Sequence, residues 1–165
     1  LVFEPVSMAD FTILCAVPQP VCAVMARDHP LAAVPRLRLR DCLDAPHVAP
    51  APQLGVRHLL DLSLRQASRR LRPVVEADNF EFMRRYVTHE SCVGFEIPIG
   101  LAGAETHGLV VRPLDDVRGG HLLLGQLAGR TLPVAASRFA EEVAEAMRGA
   151  ACGPVAAAPA CPPSA

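Results

Sequence analysis

Apolar residues along the chain fall into short, nearly continuous runs, separated by proline, glycine and charged breaks. One recurring pattern is a run of strand length. Residues 11–17 (FTILCAV) and 21–26 (VCAVMA) are apolar almost throughout and are bounded by Pro18, Gln19 and Pro20, which suits strands covered on both faces. Runs at 46–52, 73–77, 91–99, 108–114 and 120–128 also read as strands, as does the opening Leu1-Val2-Phe3, with Glu4-Pro5 as its exit. The other pattern is helical spacing. Within 55–71, Val56, Leu59, Leu60, Leu64, Ala67 and Leu71 recur at that spacing, Arg65, Arg69 and Arg70 fall largely elsewhere, and Pro73 is the expected stop. A second helix is expected from residue 80, N-capped by Asp78 or Asn79, with Glu81 complementing its dipole. A third is expected over 132–149, and 39–45 reads as a short helical turn. Alternating strands and helices predict an α/β fold with largely parallel sheets.

The length, 165 residues, suits one domain or two small lobes, and a 51% hydrophobic content supports a real core. The formal net charge is -1, so no global field draws the chain to nucleic acid or anionic membrane. Every basic residue is arginine, which reads as compositional bias. No apolar run is long enough to span a membrane. The start lacks an initiator methionine and the marks of a secretory signal, so the expectation is a chain cut from something longer. The Ala- and Pro-rich stretch 149–165 is expected to be a disordered tail. The six cysteines form no C-x-x-C and are expected to be reduced in a cytoplasmic protein.

Candidate chemistry is sparse. The histidines make neither H-x-x-x-H nor H-E-x-x-H; His89-Glu90 followed by Cys92 is the nearest approach to a metal cluster, and no metal is expected. No nucleophile motif is present, and Cys92 has no cationic neighbour in sequence. Gly119-Gly120 and the Gly100/Gly103 pair read as turns rather than phosphate cradles. RLRLRD (36–41) alternates arginine with leucine, as a half-buried edge segment would. These readings point away from an enzyme and from a resident cofactor.

Asp28-His29-Pro30-Leu31-Ala32, then LRDCLDAPHV (39–48), then GQLAGRTLPVAASRFAEEV (125–143), resemble in order the effector-binding domain of LysR-type transcriptional regulators. The resemblance runs from residue 1 to about 148. It implies a two-lobed fold of the periplasmic-binding-protein type (type II) with an incomplete first lobe: residues 1–27 and 109–148 in the first lobe, 30–103 in the second, and a return crossing near Gly103–Gly108. Asp28, His29 and Pro30 would be the hinge. The family pattern V-x-x-G-x-G-I-x-x-L-P falls on Val87–Ile97, with Glu90 and Cys92 in place of the glycines and Pro98 one residue late. It places Gly94, Phe95 and Glu96 near the inter-lobe opening. Pro50, Ala51 and Pro52 form a second wall, and Asn79 either caps its helix or offers an amide to an anionic effector.

The implied function is sensing a small-molecule effector in the cleft to control transcription. The implied partners are that effector, DNA only through an N-terminal helix-turn-helix absent from this sequence, and a second copy in a homo-oligomer; no membrane is implied. A solute-binding protein for transport, which shares the fold, is the alternative.

Overall fold

The computed structural model describes residues 1–3, 9–98 and 108–151. The expected strand exit at Glu4-Pro5, residues 103–107 of the expected return crossing and the tail from 152 onward lie outside them; the tail expected from 149 is helical as far as Ala151, because the last helix continues past Gly149. In chain order the elements are β1 (Val2–Phe3), β2 (Phe11–Gln19), β3 (Cys22–Ala26), a 3-10 turn (Pro30–Ala33), α1 (Leu39–Leu43), β4 (Val48–Pro50), α2 (Gly55–Gln66), β5 (Val75–Ala77), α3 (Phe80–His89), β6 (Gly94–Glu96), β7 (Leu109–Pro113), β8 (Gly120–Leu127) and α4 (Val134–Ala151).

Two sheets result. The first has the order β1-β8-β2 and is antiparallel throughout. In β2, Cys15, Val17 and Gln19 are buried while the residues between them are exposed. Leu122, Ala144 and Met147 pack against Cys15 and Val17, so α4 covers one face. The expectation that 11–17 is covered on both faces is therefore corrected: among the described residues this sheet has one dry face. Pro18 sits inside β2 opposite His121, a place open to proline because β2 is an edge strand.

The second sheet joins β6-β3-β7, which are antiparallel, to the parallel pair β4-β5. The seam is a parallel bridge between His47 and Val93, where Val48 N–H donates to the Val93 carbonyl at 2.8 Å and Val93 N–H to the Pro46 carbonyl at 3.0 Å. The order is thus β5-β4-β6-β3-β7. Here β3 is buried from Cys22 to Met25, as a strand covered on both faces should be. Val21, Ala23, Met25, Val93, Phe95 and Ile97 meet Val56, Leu59, Leu60 and Leu64 of α2 on one face, and Val24, Val48 and Ala77 meet Met83 and Val87 of α3 on the other. The period-2 alternation of strand side chains separates these two cores.

Three expectations change. The sheets are largely antiparallel, because β3 enters from the first sheet and runs against both β6 and β7. The crossings lie at Gln19–Cys22 and Pro113–Gly120, because β3 and β7 hydrogen-bond to the β6 sheet and not to β8; the expected boundaries at 27 and 109 and a crossing at Asp28-His29-Pro30 do not match this pairing. Helix α2 ends at Gln66, well before Pro73. Ser68 adopts a left-handed φ of 53°, its N–H donates to the Arg65 carbonyl at 3.2 Å, and Arg69 N–H donates to the Leu64 carbonyl at 3.0 Å. That closes the helix with the bond pattern usually built on glycine.

Candidate functional site

The strands β4 and β5 run parallel, and β4 runs parallel to the start of β6. Their carboxyl ends, at Pro50, Ala77 and Glu96, therefore share one edge of the second sheet. Helices α2 and α3 begin directly after β4 and β5, so their N-termini open onto that edge. In α/β sheets this is where ligands bind, because strand ends leave a crevice and helix N-termini present free N–H groups. The first lobe closes on this region at Gly120: a Cβ there would lie 2.8 Å from Phe3 Cζ and 3.3 Å from Leu59 Cδ1, so glycine lets Phe3 and Leu59 meet β8 this closely.

The loop after β4 is firmly held. Ala51 N–H donates to the Ala77 carbonyl at 2.8 Å and Leu54 N–H to the Ala51 carbonyl at 3.0 Å. Arg57, in the first turn of α2, reaches back to donate to the Pro50 carbonyl at 2.9 Å and to Glu76 at 2.8 Å, and pairs with Asp61 at 3.2 Å. Burial works against its charge, and the bonds to Glu76 and Asp61 outweigh that, holding the guanidinium above its ordinary value. Sequence reasoning missed Arg57. An arginine in the first turn of a helix opposes the dipole, and that anomaly was the available signal. The start of α2 has no side-chain cap, and no bond of the described residues engages the N–H of Gly55.

The expected site residues divide. Pro50 and Ala51 are buried at the strand end and Pro52 is exposed beside them. Asn79 accepts from Glu81 N–H at 2.8 Å and Phe82 N–H at 3.2 Å, so its oxygen caps α3. Gly94, Phe95 and Glu96 do not face an opening. A Cβ on Gly94 would lie 2.8 Å from Met83 Sδ, so this glycine admits α3 rather than a ligand. Phe95 is fully buried in the α2-side core, edge-on to His47 with ring centroids 6.0 Å apart. Glu96, also fully buried, points to the other face, where Arg84 of α3 grips it through both oxygens. Burial pushes the Glu96 carboxyl up from its ordinary value and Arg84 opposes that rise.

The hinge candidates lie within the second lobe. His29 Nδ1 accepts from Leu31 N–H at 3.2 Å, capping the turn that Pro30 opens. Burial lowers the His29 pKa, against the pull of Asp28. Burial, with a nearby carboxylate in each case, pushes the Cys22 and Cys42 thiols up to about 12 and Cys92 to about 11. None of the three offers a thiolate nucleophile at neutral pH.

A two-lobed α/β domain in which helix N-termini and strand carboxyl ends share one edge is a ligand-binding scaffold. Residues 1–148 match the family described as the LysR substrate binding domain, and the chain belongs to that family. It is similar to solved structures of the same kind. The CcmR regulatory domain of Synechocystis PCC6803, in complex with 2-PG, matches with a TM-score of 0.74 and 19% identity over 89% of this chain and 72% of that one. The effector binding domain of QuiR in complex with shikimate matches at 0.65 and 16% over 90% and 66%. HinK, a LysR family transcriptional regulator from Pseudomonas aeruginosa, matches at 0.66 and 15% over 88% and 51%. These likenesses carry the fold, and the chain spans between about half and seven-tenths of those three lengths. Among curated proteins, none matches.

Proposed function

We propose that this chain is the effector-sensing part of a cytoplasmic LysR-type regulator, which takes a small metabolite at the carboxyl edge of β4, β5 and β6. One observation carries the reading: the uncapped N-terminus of α2 opens on the same edge as three strand ends, beside the crossings to the first lobe. The free N–H of Gly55 and the helix dipole suit a carboxylate or phosphate group. Binding would favour one arrangement of the lobes about Gln19–Cys22 and Pro113–Gly120, a population shift in which no bond is made or broken. DNA contact and assembly into oligomers would belong to the complete regulator. Small-molecule complexes of QuiR and CcmR, both similar in fold, favour sensing over transport.

The test is a thermal-shift and calorimetric screen of small carboxylates and phosphorylated metabolites against wild type and Gly55→Pro. Proline is tolerated at the first helical position, and Leu54 already has the extended φ of -84° and ψ of 135° that proline requires of its predecessor. The variant should fold as wild type and bind a hit at least about tenfold more weakly, as loss of a charge-assisted bond implies. Equal affinity in both proteins would place the ligand elsewhere.

A further inference from the structure

The C-terminal end of α2 carries a feature that effector binding at the strand ends does not use. The left-handed turn at Ser68 doubles the chain back along the helix. Arg57, Asp61, Leu64, Arg65, Ser68, Arg69, Arg70 and Leu71 then line one open groove of about 610 Å³. Four of these side chains are arginines, and the sole carboxylate, Asp61, is engaged by Arg57. Arg65, Arg69 and Arg70 are exposed and form no ion pair among the described residues. Ser68 closes α2 with a left-handed φ, a common way for a helix to end. Its effect is to set Arg69 and Arg70 beside Arg65.

We propose that this groove binds a multiply charged, phosphate-bearing small molecule, at a site centred on Arg65, Arg69 and Arg70 that meets the strand-end edge only at Arg57. Planar guanidinium forks match phosphate oxygens in pairs, and the Ser68 hydroxyl adds a neutral donor. A carboxylate on the groove wall and a whole-chain net charge of -1 favour a compact anion over a long polyanion such as duplex DNA, which needs a continuous basic surface.

The experiment is isothermal titration of the chain with inorganic pyrophosphate at constant ionic strength, with Arg69→Ala/Arg70→Ala as the test variant. Arg118→Ala/Arg138→Ala removes two exposed arginines elsewhere and serves as control. Saturable binding is expected in wild type and control, weakened at least tenfold in the test variant, with all three showing the same circular dichroism melt. Gly55→Pro should bind pyrophosphate as wild type does, which separates this site from the strand-end one. No saturable binding, or equal loss in the control, would overturn the proposal, as would loss in Gly55→Pro. Tighter, salt-sensitive capture of mixed-sequence duplex DNA by the same arginines would also overturn it, replacing a small-anion site with a nucleic-acid contact.

Discussion

Replacing Arg84 with methionine isolates the strongest electrostatic contact in the second lobe. Glu96 has a side chain only 1% exposed, and Arg84, 24% exposed, donates to both its oxygens. Methionine keeps much of the aliphatic stem that Arg84 extends from α3 but strips the carboxylate of its partner. Breaking a buried pair in this way costs about 3–5 kcal/mol, because the remaining charge is neither solvated nor paired. The reverse change, Glu96→Gln, should cost less, about 1–2 kcal/mol, since the guanidinium left behind can reach water. In Arg84→Met the carboxyl escapes its penalty by taking a proton. Burial already raises its pKa in the native fold, so the native state binds protons more readily than the unfolded chain. The loss should therefore shrink as pH falls from about 7 to about 5. Arg84→Met/Glu96→Gln should be more stable at neutral pH than Arg84→Met alone, since no charge is stranded. Urea unfolding followed by circular dichroism at both pH values measures all three. A loss below about 1 kcal/mol in Arg84→Met, with no pH dependence, would show that Glu96 is solvated and refute the argument.

Phe95→Ala should cost about 3–5 kcal/mol as a core truncation under α2, read as a lower urea midpoint; retained stability with weakened effector binding would return Phe95 to the cleft. Ser68→Gly should gain about 0.5–1 kcal/mol by relieving the left-handed φ, less the added unfolded entropy, and a fall in melting temperature would contradict this. Stability should decline as pH drops below about 6.5, because the lowered His29 pKa means the unfolded chain takes up the proton first and protonation removes the acceptor for Leu31 N–H. His29→Asn, which retains an acceptor for the cap, should flatten that part of the pH profile, and an unchanged profile would rule His29 out as its source.

The sequence alone determined what local periodicity and punctuation can determine. The spacing of Val56, Leu59, Leu60 and Leu64 marked α2, the Asp78-Asn79 pair marked the start of α3, and the apolar runs marked β2 and β3, because each depends on neighbours within a few residues. The ordered phrases around His29-Pro30 and Gly129–Pro133 pointed to the family that residues 1–148 match. Tertiary structure decided the rest. Nothing local says that β3 pairs with β6 and β7 instead of β8, so the crossing fell at Pro20 and not at Pro30. Nor does a three-residue strand reveal its faces. Phe95 and Glu96 are adjacent, and the pleat sends one into the α2 core and the other to Arg84, while Gly94 is set by how closely α3 approaches. The strand-end edge likewise joins Pro50, before α2, to Ala77, before α3. Those two positions are 27 residues apart, and only the register of β4 against β5 brings them together.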